Sequence, residues 1–422
     1  MQLHFAMLAG WVAPADVFVQ FYSHEPNSFW LDREHNQDSP YSILGAGKKT
    51  LRSDWQPGQF DEIDVAFEWR PGLMGLQTYE GDEVFIAVDR GIVFDHENES
   101  IYFVGLFDTA QDFNQWHHAA LLRLGLSGGQ LANFLHQNQS SETPAKSTLR
   151  HDSNAYRAMI RRAQDHIAAG DIYQICLTNE IRIETQANPL GVFLKLRAAN
   201  PSPYSTYFQT PDFVLACSSP EQFIRVQSDG IVTSKPIKGT RPRGASAQED
   251  ELISAELQSN EKERAENLMI VDLMRNDIGK VAKVGSVTVP KLFEVESYAT
   301  VHQLVSTVDG QLGEGFSAWS AISACFPGGS MTGAPKIRAM ELISGLENGA
   351  RGVYSGCVGY LGVDGSAEFA MTIRSIVFRP GFATIGVGGG ITIDSNIEAE
   401  VEETKLKANA LLKALNATDP WA

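Results

Sequence analysis

A chain of 422 residues with 43% hydrophobic content can bury a sizeable core, and at roughly 150 residues per domain it accommodates two or three units. Its formal charge of −17 excludes nucleic acid and anionic membrane surfaces as main partners, because neutralising phosphates takes clustered Lys and Arg. Four cysteines without CxxC spacing exclude a disulfide framework, no apolar run approaches the roughly 20 residues that span a bilayer, and a reducing cytoplasm is the expected setting.

The first basic residue is Arg33, so the apolar start 8–13 lacks the basic flank of a signal peptide and reads as a first strand. Alternating runs at 84–88, 91–94 and 101–104, punctuated by Gly, Asp and Asn, predict hairpins and make residues 1–145 a sheet-rich region. A helix is predicted over 114–138. The polar, Pro-containing stretch 139–144 suits a surface connection and sets the boundary with a catalytic region over 146–422. Ser153 or Asn154 is placed to cap a helix in which Tyr156, Met159, Ile160, Ala163 and Ile167 recur at helical spacing, ending at Gly170. Strand-like runs follow at 172–183 and 213–226. Helices near 189–199, 247–278, 334–346 and 396–415 alternate with strand pairs, and the class is α+β.

Acidic residues then fall into pairs. Glu263 and Glu266 lie three apart and share a helix face, either as a solvated patch neutralised by Lys262 and Arg264 or as donors to a cation. The run 394–398 has the form of a capping box, Ser395 bonding forward and Glu398 back. Glu400, Glu403 and Lys407 follow on one stripe, where Glu403 and Lys407 can also form a simple ion pair. Two helices each offering carboxylates suit Mg²⁺, which takes a few carboxylates plus water and substrate oxygens; nothing has the His and Cys spacing of zinc.

Lys238, in Pro-Ile-Lys-Gly-Thr-Arg, is a candidate nucleophile beside such a site, or else a turn lysine in solvent. The run 328–336 places Ser and Thr before Pro335 at a helix start, where an anion can sit, although the order is not that of a P-loop. Gly388, Gly389 and Gly390 permit close backbone approach by a ligand or by packing. Arg374, in an apolar run, is either a carboxylate fork in a cleft or half of a structural ion pair. His302 is either catalytic or a satisfied structural histidine. Ser355-Gly-Cys357-Val-Gly is similar to a glutaminase elbow, but position 355 is Ser and no His follows His302, so no resident glutaminase is expected.

These segments together resemble the chorismate-utilising enzymes over about residues 150–415. The resemblance rests on Ser219-Pro220-Glu221, Pro236 to Arg241, Glu263 to Asn267, Val271 to Asp277, Phe326 to Ser330, Thr332 to Lys336 and Glu402 to Thr404. It implies a four-layer α/β/β/α sandwich with two orthogonally packed sheets. It also implies Mg²⁺ on Glu266 and Glu403 with Glu263 and Glu400 close by, the metal meeting the ring carboxylate of chorismate. By the same resemblance Arg374, Tyr354 and the backbone near Gly390 hold the enolpyruvyl carboxylate, Lys407, Thr240 and His302 line the site, and Glu221 protonates the departing 4-hydroxyl.

Within the family, isochorismate and salicylate synthases carry a lysine where this chain has Gln174, and anthranilate synthases usually carry Ala where it has Lys238. A lysine there resembles the aminodeoxychorismate synthase component I branch. That branch implies a covalent lysine adduct at C2, ammonia from a separate glutamine amidotransferase subunit, and a downstream aminodeoxychorismate lyase on the way to 4-aminobenzoate and folate. Anthranilate synthase component I is the closest alternative, and a non-catalytic chorismate-binding homologue is the alternative outside enzymes.

Overall fold

The computed structural model describes residues 1–58, 65–138, 143–299 and 301–422; most of the polar stretch 139–144 lies outside them. Strand Ser28–Asp32 shows how the layers arise. All five of its residues are buried, and side chains alternate across a strand, so both faces must be covered. Phe29 and Leu31 enter a core shared with Met74, Leu76 and Val358 of a second sheet. Trp30 turns the other way, among Phe18, Phe193 and Tyr207.

The same logic extends over a 12-stranded and a 10-stranded sheet. Helices Pro14–Tyr22, Ala110–Leu124, Pro189–Ala199 and Ile397–Ala414 cover the outer face of the first. Helices Glu261–Gly279 and Ala318–Cys325 cover the outer face of the second. The α+β class and the four-layer α/β/β/α sandwich are borne out. The N-terminal region is woven into both sheets: Ser28–Asp32 pairs with Tyr204–Gln209, and Gly72–Gln77 pairs with Cys357–Gly362. No helix among the described residues is long and apolar enough to cross a membrane.

Several local expectations differ in their bounds or divide in two. The first strand is Gln2–Ala9, and residues 11–13 instead lead into the helix Pro14–Tyr22, whose Pro14 suits a first turn. The region 114–138 is two helices, Ala110–Leu124 and Gln130–Gln137. Asp152, not Ser153 or Asn154, caps the next helix by accepting from the Ala155 N–H at 2.8 Å. The predicted helix 247–278 is likewise two, Ala247–Ser259 and Glu261–Gly279, meeting at Asn260.

The run 213–226 is the most informative departure, because it breaks at Pro220. Val214–Ser219 lies in the 12-stranded sheet and Gln222–Val226 in the 10-stranded one. A later segment of the chain makes the reverse passage beside it, from Ala367–Met371 to Ser375–Arg379. Pairing holds on both sides of the crossing, Cys217 against Ser375 and Gln222 against Ala370. Between these pairs the Met371 N–H donates to Glu221 O and the Ser218 N–H to Arg374 O, each at 3.1 Å. Glu221 and Arg374 are thereby fixed at neighbouring crossing points between the sheets.

Asn260 serves two helix ends at once. Its side-chain oxygen accepts from the Glu263 N–H at 3.1 Å, and its amide donates to Glu256 at 2.8 Å. Asn260→Ala is expected to cost about 1 kcal/mol, the usual worth of an N-cap, seen as a lower thermal midpoint; an unchanged midpoint would contradict this role.

Candidate active site

A cavity of about 700 Å³ opens where the two sheets and two helix ends meet. The strand Ile237–Pro242 forms one wall, the glycine-rich end of Phe382–Ile391 faces it, and Glu221 and Arg374 come from the crossings. The helices Glu261–Gly279 and Ile397–Ala414 supply the carboxylates. Eleven of the twelve site residues read from the sequence line this one cavity: Lys238, Glu221, Thr240, Tyr354, Arg374, Gly390, Lys407, Glu263, Glu266, Glu400 and Glu403.

Lys238 is aimed by an irregularity in its strand. Pairing with Val301–Gln311 shifts register between Ile237 and Thr240, and Gly239 inside the shift has φ of +82°, a conformation favouring glycine. The bulge turns the Lys238 side chain inward, where it is 13% exposed and its Nζ stands 3.7 Å from Glu266 Oε2. On the facing strand a Cβ built at Gly390 would lie 3.0 Å from that nitrogen. Gly386 is bare for a different reason, since a Cβ there would meet the Tyr354 ring at 2.0 Å. Within the glycine run itself, Gly388 is bare for packing, since a Cβ there would lie 2.1 Å from Leu177 O, whereas Gly390 faces the Lys238 amine.

The four helix carboxylates are not equivalent. Glu263 is taken by Arg241 at 3.2 Å, and Arg241 also holds Glu256 at 2.9 Å. Glu400 is oriented by Ser395 Oγ, which donates to it at 2.7 Å. The expected capping box therefore gives way: Asn396 caps the helix through the Ala399 N–H, and Glu398 pairs with Arg157. Burial raises the pKa of Glu400, opposed by the Ser395 bond. Burial also acts upward on Glu403, but Lys407 at 2.7 Å outweighs it and holds this carboxyl below its ordinary value.

Among the described residues no three carboxylate, imidazole or thiolate groups converge closely enough to hold a metal unaided. Ammonium groups stand against the carboxylates instead, Lys238 and Lys262 against Glu266 and Lys407 against Glu403. The donor set is oxygen only, and it surrounds a space that a Cβ at Gly389 would fill, 3.1 Å from Glu400 Oε2 and 4.0 Å from Glu403 Oε1. That chemistry fits a hard cation completing its shell with water and substrate oxygens.

Glu221 is 7% exposed, and desolvation pushes its carboxyl up to about 7, with Ser330 and Lys238 pulling the other way. Arg374 adopts φ of +51° at the crossing, and its guanidinium has no hydrogen bond or ion pair among the described residues. Burial lowers its pKa, with Tyr354 and Glu403 opposing. The structural ion-pair reading of Arg374 is thereby set aside in favour of a cation facing the cavity. Gln174 is fully buried, and neither polar atom of its amide has a hydrogen-bond partner. Its Nε2 would lie 3.8 Å from a Cβ at Gly390, on the Lys238 side of the cavity.

His302 is the residue the fold does not bring into the cavity. Its neighbours Val301 and Gln303 line the wall, whereas its own ring is 2% exposed and satisfied at both nitrogens, by Ser297 Oγ and Asp250 Oδ1, each at 2.8 Å. Strand alternation sends it to the opposite face. The turn before Lys336 also differs from expectation: Pro335 itself occupies the N-cap without a side-chain bond, and Lys336 pairs with buried Asp277. That turn supplies Ser330 beside Glu221. Cys357 is buried in a strand, with its thiol pushed up by desolvation, which does not suit a nucleophile.

Because the Glu221 carboxyl is held near 7, its acid form is present below that pH and is lost as pH rises through it. Carbon-13 NMR of labelled glutamate is expected to show one carboxyl titrating near pH 7 that disappears in Glu221→Gln; a midpoint near 4.5 would contradict the burial argument.

A family model described as chorismate binding enzyme matches residues 65–413. The aminodeoxychorismate synthase of Streptomyces pristinaespiralis is 44% identical, over 94% of this chain and 63% of that protein. Anthranilate synthase component 1 of Mycobacterium tuberculosis (strain ATCC 25618 / H37Rv) is 45% identical, over 63% of this chain and 53% of that one. The crystal structure of anthranilate synthase component I from Streptococcus pneumoniae superposes with a TM-score of 0.76 at 27% identity, covering 97% of this chain and 92% of that chain. The chain spans about half the length of the curated relatives it matches. On the family match and the shared architecture together, this chain belongs to the chorismate-binding enzymes.

Proposed function

We propose that this chain acts as component I of an aminodeoxychorismate synthase, replacing the 4-hydroxyl of chorismate with an amino group through a covalent adduct on Lys238. The observation that carries the reading is the bulge that aims Lys238 Nζ across the cavity at the bare backbone of Gly390, between Glu266 and the buried acid Glu221. Relatives bearing that enzyme name support it.

Arg374, a half-buried guanidinium with no hydrogen bond or ion pair among the described residues, is suited to the enolpyruvyl carboxylate, with Tyr354 beside it and Thr240 and Lys407 on the walls. Glu266 and Glu403 would hold Mg²⁺, with Glu400 and Glu263 close by. When bound, the ion supplies positive charge for the ring carboxylate. The Lys238 lone pair then forms a bond to C2, both conjugated ring double bonds shift one position around C1, C6 and C5 toward C4, and the C4–O bond breaks. The Glu221 proton goes to the departing hydroxyl, which leaves as water, and the adduct is a secondary ammonium. Ammonia next bonds to C4 and the electrons return along the same path, so the C2–N bond breaks and Lys238 leaves as a neutral amine. The new ammonium at C4 gives one proton back to Glu221, and the cycle closes.

Two successive allylic displacements put nitrogen on the carbon that lost oxygen. Gln174 beside Lys238 has an amide where water-using relatives of the family carry a lysine, so no base stands there to activate water at C2. Ammonia comes from a separate amidotransferase subunit, and a lyase elsewhere releases pyruvate toward 4-aminobenzoate. The likeness to anthranilate synthase component 1 favours one second reading, in which nitrogen enters at C2.

Incubation with chorismate, Mg²⁺ and an ammonium salt distinguishes them by product mass. The 4-amino compound retaining its enolpyruvyl group is expected, absent in Lys238→Ala and reduced roughly 100-fold or more in Glu221→Gln. Anthranilate with pyruvate from the unaltered chain would overturn the assignment.

A further inference from the structure

Both oxygens of Glu266 face an ammonium at the same distance: Lys238 Nζ stands 3.7 Å from Oε2 and Lys262 Nζ 3.7 Å from Oε1. The two lysines are otherwise unlike. Lys238 is enclosed between the strands, whereas the Lys262 side chain is 55% exposed on the first turn of Glu261–Gly279 and has open solvent to swing into. Its charge also reaches Glu400 and Glu403, so it acts on each carboxylate that a divalent cation would use. An exposed i, i+4 pair contributes little to a helix, and that worth does not explain a cation set over the cavity mouth.

We propose that Lys262 is a displaceable stand-in for the divalent cation. It neutralises Glu266 in the metal-free cavity and must withdraw when the ion arrives, so it weakens metal binding and sets the concentration at which the site fills. Lys262 is in this sense a positioning residue, acting on the reaction only through Glu266. The inference rests on the reading that Glu266, Glu403 and Glu400 take Mg²⁺.

Binding of Mn²⁺ to the full chain without substrate, followed by loss of the free-ion EPR signal, separates the two ideas. Lys262→Gln is expected to bind Mn²⁺ at least about fivefold more tightly. Lys262→Arg, which keeps the charge, should stay within about twofold of the unaltered chain. Lys405→Gln removes the same charge from a lysine held by Glu402 outside the cavity, and it too should stay within about twofold. Equal affinity for Lys262→Gln and Lys405→Gln would overturn the stand-in role and leave the metal reading intact. Absence of Mn²⁺ binding in all four proteins would overturn both.

Discussion

Two neighbouring segments that pass from one sheet to the other side by side, in opposite directions, are what the site depends on. A strand leaving a sheet exposes backbone donors and acceptors, and a single crossing in the interior would strand them at a cost. Running two crossings together lets Glu221, Met371, Ser218 and Arg374 satisfy one another through backbone bonds while the side chains of Glu221 and Arg374 are released toward the cavity. The acid and the free guanidinium are therefore held by the sheets themselves. Desolvation at that point raises the one, and the other makes no ion pair among the described residues; those are the properties that a proton donor and an anion receptor need.

Around that point the charges balance locally. Five glutamates and five lysine or arginine side chains line the cavity, although the whole chain carries −17. With the Glu221 proton in place the lining is net positive by one, so a dianionic substrate is not repelled by the acidic surface around it. The balance is organised in pairs, Arg241 with Glu263 and Lys407 with Glu403, and the pairs differ in how much they can yield. Arg241 ties the Lys238 strand to two helices and serves the architecture. The lysines over Glu266 have no second carboxylate within bonding distance among the described residues.

Much of this was legible in the chain. The i, i+3 spacing of Glu263 with Glu266 and of Glu400 with Glu403 follows helix geometry alone, and both pairs do face one cavity. Lys238 was legible through its Pro-Ile-Lys-Gly-Thr-Arg setting, whereas the bulge at Gly239 that aims it was not. What escaped was set by long-range pairing. Nothing local distinguishes Pro220 as a passage between sheets from Pro220 as an ordinary strand break. His302 was misplaced because its apolar neighbours give no sign of which face of Val301–Gln311 turns to the cavity, and Asp250, its partner, is 52 residues away. The caps slipped by one residue, Asp152 for Ser153 and Asn396 for Ser395, because Ser, Asp and Asn stand next to each other and each can serve. At Ser395 the slip had a consequence, since the hydroxyl not spent on a cap is the one that orients Glu400.

The proposed reaction turns on a bond between Lys238 and C2 of chorismate, and intact-protein mass spectrometry tests it directly. Incubated with chorismate and Mg²⁺ but no ammonia source, then quenched, the chain is predicted to carry the mass of chorismate less one water, located by peptide mapping at Lys238. Turnover of chorismate to the 4-amino product under ammonia, with no such adduct on Lys238 when ammonia is withheld, would contradict the covalent route.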